Sequence, residues 1–281
     1  MPELPEIDAL AAFLRTHLIG DAAAAVQLAE LSLLGTVDPP LEALLGLEFT
    51  GVSRRGKALV LEADGLFLVC RFARAGWLAW HESVPAGPVR MGRGPLGMRL
   101  ELASGAGFDL REAGTKKNAS VALVRDPAEV PALARLGPDA LAISPEDFAA
   151  ALSSSRGRIK TVLEDQSVLA GIGNAYSDEI LHTAGVSPFA PAHGVDAAAL
   201  HTVMRTVLTQ AQEALAGLPP DRVKAAKKRG LRVHGRTGQP CPVCGTAVAE
   251  VSFADRSLQY CPGCQTGGRK LSDRRMDRLL K

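Results

Sequence analysis

Four cysteines near the C-terminus have the spacing of a metal site. Cys241-Pro-Val-Cys244 and Cys261-Pro-Gly-Cys264 are separated by 16 residues. C-x2-C-x16-C-x2-C is the pattern of a four-thiolate zinc centre. Each C-x-x-C pair forms a tight turn that aims two thiolates at one metal, and Gly245 and Gly263 are expected to supply the unusual backbone angles there. With all four positions filled, one structural Zn2+ is expected, with no place open for a substrate. Two disulfides compete with this reading but are disfavoured in a chain that is expected to be cytosolic. A redox dithiol rarely comes in duplicate. Cys70, in an apolar run, reads as a buried core thiol.

Two further stretches can do chemistry. Gly171-Ile172-Gly173-Asn174 precedes a helical pattern that opens at Ala175. Backbone N–H groups and the helix dipole can hold a phosphate there, with Asn174 adding a side-chain donor. A lone Gly-x-Gly is weak evidence. The chain begins Met-Pro-Glu-Leu-Pro-Glu-Ile. Pro5 suits a first helical turn, Glu6 and Asp8 suit its positive end, and Leu10, Phe13, Leu14 and Leu18 recur at helical spacing. That leaves Pro2 and Glu3 without a structural reason.

The elements that must position these groups follow from pattern. Residues 2–18 read as a helix. From about 47 to 125, short alternating runs separated by Gly and Pro every 8–12 residues predict an antiparallel sandwich or barrel. A short helix is expected in 39–51. Helices follow, beginning with Ser144 as an N-cap before Pro145. The 175–185 helix closes on Gly185. The 196–217 helix carries Leu200, Val203, Val207, Leu208, Ala211 and Leu215 on one face. Residues 218–240 read as a basic, mobile connector. Between the cysteine pairs the sequence alternates like a hairpin with Ala254-Asp255-Arg256-Ser257 at the bend.

The 281 residues allow two or more domains, and 47% hydrophobic with 22% charged residues is ordinary for a globular chain. No apolar run is long enough to span a bilayer, so no membrane partner and a cytoplasmic, nucleoid-associated monomer are expected. The net charge of +2 hides an asymmetry. Residues 1–150 carry −5, 151–221 carry −3 and 222–281 carry +10. So basic a tail points to a polyanion, most simply nucleic acid, with a solubilising tail as the alternative.

Taken together, the terminal Met-Pro-Glu-Leu-Pro-Glu, the Gly-x-Gly-Asn loop and the cysteine hairpin make the sequence resemble the formamidopyrimidine-DNA glycosylase / endonuclease VIII family, along essentially the whole chain. The resemblance implies an α+β fold: an N-terminal helix with a two-layer antiparallel β-sandwich (1–125), a helix–two-turn–helix domain with the basic connector (126–235) and a β-hairpin zinc finger (236–281). It implies a DNA glycosylase with abasic-site (AP) lyase activity. In such enzymes the methionine is removed and Pro2 becomes the nucleophile. An α-amino group has a pKa of about 7.7–8.0 against about 10.4 for lysine, so far more of it is unprotonated near neutrality. Glu3 would shuttle protons to the sugar and the leaving base. Glu6 would anchor the N-terminus or the opened sugar. Lys57 would contact a phosphate and depress the Pro2 amine by like charge. Lys160, Asn174 and Arg256 fall in the DNA-binding stretches, with Arg256 gripping the phosphate of a flipped nucleotide.

The sequence departs from the family in two β-domain loops that fill the gap left by the flipped base. Where relatives read like His-x-Gly-Met-x-Gly, residues 71–76 read Arg-Phe-Ala-Arg-Ala-Gly, with Arg74 in the Met place. Where relatives read like Asp-Pro-Arg-Arg-Phe-Gly, residues 109–114 read Asp-Leu-Arg-Glu-Ala-Gly. Glu112 then stands for an arginine and is expected to face the DNA backbone, while Ala113 stands for the Phe wedge. The loop that closes over 8-oxoguanine is replaced by a shorter basic stretch, 218–230. Ordinary 8-oxoguanine excision is therefore not expected, and single-stranded or distorted DNA is. A non-catalytic damaged-DNA-binding protein on the same scaffold is the competing reading, and a zinc-ribbon module for RNA or protein contacts is a third.

Overall fold

The structure, a computed structural model, describes residues 1–92, 94–113, 117–253 and 256–271. Ala254 and Asp255 of the expected hairpin bend, and Gly114 of the second loop, lie outside the described residues. The chain divides into two compact units, residues 1–136 with 212–227, and 137–211 with 228–281. Among the described residues no helix is long and apolar enough to cross a membrane.

Among its described residues the first unit is built on helix α1 (Leu4–Leu18) and eight strands: β1 (Ala23–Leu28), β2 (Phe49–Arg55), β3 (Ala58–Ala63), β4 (Leu66–Arg71), β5 (Gly76–His81), β6 (Leu96–Leu102), β7 (Gly107–Glu112) and β8 (Ser120–Val124). They form two antiparallel four-stranded sheets, ordered β1-β6-β7-β5 and β2-β3-β4-β8. Both sheets and α1 contribute to one core, in which Ile7, Leu10, Leu14 and Leu18 meet Phe49, Leu59, Leu61, Leu68, Leu78, Leu100, Phe108 and Val121. β3 reads as a continuous apolar run because it is covered on both faces. Leu59 and Leu61 face that core, and Ala58 and Val60 face a second cluster with Val69, Val124, Val130 and Leu133. The expected short helix appears as a 3-10 turn, Leu41–Leu44.

The expected mobile connector is instead a helix over much of its length. α2 (Pro131–Ala134), α3 (Pro145–Ser154), α4 (Ile159–Glu164), α5 (Asn174–Thr183) and α6 (Ala197–Leu215) are followed by α7 (Pro220–Gly230). Val223 of α7 is fully buried with Ala9, Leu215 and the half-buried Trp77 and Ala226, and the Trp77 indole donates to the Pro220 carbonyl at 3.0 Å. One buried valine and the alanines suffice to dock a helix whose other residues are mostly charged.

In the second unit Ser144 caps α3 as expected, its hydroxyl accepting from the Asp147 N–H. On α6 the buried face runs Leu200, His201, Met204, Leu208 and Leu215, while Val203 and Val207 are only half-buried. That face is rotated from the expected one because the longer Met204 and the His201 ring, which hydrogen-bonds the Ile143 carbonyl, fill the interior. The finger pairs β9 (Ala249–Ser252) with β10 (Ser257–Tyr260) and ends in α8 (Pro262–Thr266).

Asp109, on β7, is a buried acid of the first unit with three cationic or imidazole partners. Its carboxylate is fully enclosed and receives Arg99 at 2.7 Å, Arg111 at 2.7 Å and His81 at 3.0 Å. Burial opposes its ionisation, but the hydrogen bonds from Arg99, Arg111 and His81 outweigh that and hold the carboxyl down to about 2, from 3.8. A depressed acid stabilises the fold above its unfolded pKa and loses that contribution as pH falls through the folded one. Wild-type minus Asp109→Asn stability should therefore fall by about 2 kcal/mol between pH 4 and pH 2. At pH 7 the variant, with its cations uncompensated, should lose about 3 kcal/mol. Urea unfolding over that pH range reads both. A difference that does not change below pH 4 would show that Asp109 is not ionised in the way its partners imply.

Candidate active site and metal centre

The N-terminus gathers charge inside the first unit. Glu3 is the N-cap of α1, and the Glu6 carboxylate turns back to accept its N–H at 2.8 Å, which orders the first residues. Both carboxylates are buried, Glu6 completely, and Pro2 is buried as well. α7 brings the compensating cation. The Lys227 ammonium lies 2.6 Å from Glu6 Oε2, 3.9 Å from Glu3 Oε1 and 3.3 Å from the Met1 carbonyl oxygen. Burial, then Lys227, pushes the Met1 amine below its ordinary value of 8.0, with Glu3 and Glu6 opposing. Sequence reasoning misses Lys227, since a lysine among many in a basic stretch carries no local signal.

Lys57 lies on the two-residue turn joining β2 to β3, after Gly56 at φ +56°, and is half-buried. Its neighbour Arg54 reaches Asp8 at 2.7 Å, tying this hairpin to α1. Arg74 is exposed on the turn between β4 and β5. That turn is tight. Ala73 sits at φ +50°, and a Cβ on Gly76 would come within 1.9 Å of the Phe72 carbonyl oxygen.

Glu112 does not face outward as expected. It is buried, and its carboxylate accepts from the Asn118 N–H at 2.9 Å and the Ala119 N–H at 2.9 Å. It lies on the β7 face that carries Phe108 and Leu110, and it staples the β7–β8 connection. Ala113, the next residue, is exposed.

In the second unit Gly173 caps α5, so the Gly-x-Gly-Asn loop does open a helix, at Asn174. The Asn174 amide nitrogen donates to the Ser257 carbonyl at 2.8 Å, while its oxygen is buried with no partner among the described residues. Lys160 is brought to the same loop but faces inward. Its buried ammonium contacts the Asn174 carbonyl, Ser177, Asp178 and Glu164 at 2.7–3.1 Å. It braces the start of α5 rather than reaching into solvent. Arg256, about half-exposed, pairs with Glu164 at 2.9 Å. Asn174, Arg256, Arg158 and Lys160 line one cleft of about 80 Å³ beside Phe189 and Phe253. Arg158, which stacks on Phe189 at 3.9 Å, is a cleft residue that the sequence does not single out.

The cysteines converge. Cys241 Sγ and Cys264 Sγ are 3.8 Å apart, and Cys244 Sγ and Cys261 Sγ are 3.3 Å apart. Four sulfurs at such separations fit a tetrahedral zinc, whose role there is to cross-link the finger. Hydrogen bonds from the Thr246 side chain and backbone, and then from Cys261, bring the exposed Cys244 thiol down to about 6, a thiolate ready for a metal. Cys70 is buried in the first unit, where burial pushes its thiol up to about 12. Gly245 has the expected positive φ of +76°. Gly263 does not. It is required for space, because a Cβ there would meet Thr246 Oγ1 at 2.6 Å and Cys244 Sγ at 3.0 Å. His182 Nε2 lies 3.2 Å from Cys241 Sγ, and the donor atoms of His182, Cys241, Cys261 and Cys264 all lie within 4.8 Å of one another, so the cluster holds a nitrogen that the cysteine spacing does not announce.

Comparison with known proteins agrees with this architecture. Residues 1–119 match the formamidopyrimidine-DNA glycosylase N-terminal domain, 136–218 its H2TH domain, and 238–267 the zinc finger found in FPG and IleRS. The chain is 32% identical to formamidopyrimidine-DNA glycosylase of Gloeobacter violaceus, covering 94% of this chain and 98% of that one. The chain belongs to the formamidopyrimidine-DNA glycosylase family. Within it, an uncharacterized formamidopyrimidine-DNA glycosylase-like protein of Mycobacterium tuberculosis is 59% identical over 149 residues, 52% of this chain and 94% of that one. The Lactococcus lactis Fpg in complex with abasic-site DNA has the same fold, with a TM-score of 0.82 at 22% identity, covering 94% and 99% of the two chains.

As a glycosylase-family zinc finger, the cysteine cluster should hold one zinc per chain. Cys244→Ser should release it and unfold residues 238–267, while the first unit keeps its urea transition. Metal analysis of freshly purified protein reads the stoichiometry. Absence of zinc, or full retention in Cys244→Ser, would contradict the site.

Proposed function

We propose that this chain is a base-excision DNA-repair enzyme, a bifunctional DNA glycosylase/AP lyase that acts through an N-terminal proline Schiff base. The observation that carries this reading is the buried cluster at the start of the chain: Pro2, Glu3 and Glu6 enclosed together, with Lys227 against the carboxylates. A surface helix has no need of two enclosed acids at its first turn. Removal of Met1 would free the Pro2 secondary amine. Its lone pair attacks C1′ of the damaged nucleotide, the glycosidic electron pair leaves with the base, which takes up the proton shed by the Pro2 nitrogen, and the freed nitrogen lone pair forms the iminium as the bond from C1′ to the ring oxygen breaks. Glu3 in its acid form gives the proton that the ring oxygen takes up. The fixed iminium charge acidifies the 2′ hydrogen, so loss of that proton expels the 3′ phosphate, and water then releases the amine. Lys57 would bind DNA phosphate from the first unit, as Asn174 and Arg256 would from the second, with Arg74 meeting the DNA at the gap left by the flipped base and Glu6 anchoring the terminus.

The loop residues support a restricted substrate. Flipping a base out of a duplex costs a few kcal/mol. Ala113 is too short to fill the gap, and Arg74 is costly to desolvate within a base stack. Phosphate attraction from the basic residues 222–281 is independent of base sequence.

The enzyme should therefore act on an abasic or damaged site in single-stranded, bulged or mismatched DNA at least roughly tenfold faster than in a perfect duplex. Arg74→Met with Ala113→Phe should narrow the gap. Borohydride trapping under single-turnover conditions at one salt concentration reads both. Equal rates on the two substrates would contradict the missing wedge. Failure of the processed protein to form any adduct while it still binds abasic DNA would instead favour a damaged-DNA-binding protein.

A further inference from the structure

His182 sits on the last turn of α5, buried, with its Nε2 3.2 Å from Cys241 Sγ. The same face of α5 grips the chain that leads into and through the finger. Glu179 accepts the N–H groups of Arg232, Val233 and His234 at 2.8–3.0 Å, and Asp178 accepts the Gln259 N–H at 3.1 Å. The ring therefore arrives at the sulfurs on a fixed support.

Two roles fit that distance: a nitrogen ligand that replaces one sulfur, or a donor to a thiolate. The other ring nitrogen decides between them. Among the described residues, His182 Nδ1 is buried with no hydrogen-bond partner. A neutral imidazole that ligates through Nε2 must carry its proton on Nδ1, and metal-bound histidines almost always donate that second N–H to a partner. Here it would be a buried donor with nowhere to go, which native structures avoid more strictly than an unused acceptor lone pair. With the proton on Nε2, the same ring makes a hydrogen bond to sulfur and leaves only a lone pair unmatched at Nδ1.

We propose that His182 is a positioning residue of the zinc centre, donating an Nε2–H···Sγ hydrogen bond to the Cys241 thiolate of a four-sulfur site. Four thiolates around Zn2+ leave two negative charges in a partly buried cluster. The backbone N–H groups of Val243 and Cys264 approach Cys241 and Cys261 at 3.5 and 3.4 Å. The imidazole adds a side-chain N–H to Cys241, and it does so from the helix that begins at the Gly-x-Gly-Asn loop. The metal centre is thereby held by α5 as well as by its own hairpin.

Cobalt substitution and chelator competition on the full chain test this. Wild type and His182→Phe should both give the visible spectrum of a tetrahedral four-sulfur Co2+ site, the variant with its sulfur-to-metal charge-transfer band at lower energy because the thiolate has lost a donor. Zinc affinity in His182→Phe should fall roughly ten- to a hundred-fold, the usual effect of removing a partner of a metal ligand. His182→Gln, whose amide can donate, should recover most of the loss. Should His182→Phe not fold, His182→Met against His182→Gln gives the same comparison. A wild-type spectrum of three sulfurs and one nitrogen, with metal retained in Cys244→Ser, would make His182 a ligand and overturn the proposal. So would unchanged zinc affinity and an unshifted band in the variants that cannot donate.

Discussion

Lys227 and Glu6 meet at 2.6 Å across a sequence separation of 221 residues, and the N-terminal architecture rests on that contact. Glu6 is wholly enclosed, and an enclosed carboxylate must be paired or neutralised. The pairing requires α7 to be a helix, docked through Val223 and Ala226, so that its lysine points at the start of α1. Removing the cation would leave buried negative charge, a change that typically costs about 3–5 kcal/mol. The contact also shapes the chemistry available to a terminal amine. An ammonium beside it and burial around it both favour the free base, whereas Glu3 and Glu6 favour the protonated form. The balance lowers the Met1 amine from its ordinary value, burial and then Lys227 outweighing the two carboxylates.

The second unit has its own organising element in α5. A helix in which eight consecutive residues, Ala175 to His182, are buried is not an amphipathic surface helix. Its polar residues are enclosed because each meets a partner in the second unit: Asp178 with Lys160, His234 and Gln259, Glu179 with three backbone N–H groups, and Ser177 with Lys160. Burial raises the Glu179 carboxyl above its ordinary value even though those N–H groups pull it down. Such a network leaves little freedom in the loop before α5, and preorganised N–H groups at a helix start are what anion binding needs.

Much of this was legible in the chain itself. α1 follows from its leucine period and from Pro5, the strands from Gly and Pro punctuation, and the metal site from cysteine spacing. Other features required tertiary information. Residues 220–230 hold six charged side chains and a single branched apolar one, so period alone gives no helix; only the hydrophobic face waiting on α1 and Trp77 makes Val223 sufficient. Lys160 looks like a phosphate ligand until its carboxylate neighbours, from 164 and 178, are seen around it. Glu112 carried a usable signal. Strand alternation puts it on the face of Phe108 and Leu110, and that inward direction outweighs reading a loop residue by its charge. His182 likewise falls on the helix face shared with Asp178 and Glu179, a run of polar residues in an otherwise apolar segment.

The central claim is that the amine at the start of the processed chain is the nucleophile, with Lys227 serving only as its charged neighbour. Peptide mapping by mass spectrometry of the borohydride-reduced complex with abasic DNA tests this most directly. The account predicts a single adduct on the N-terminal peptide at Pro2, formed only after Met1 is gone. An adduct on Lys227 or Lys57, or one formed equally well with Met1 retained, would contradict it.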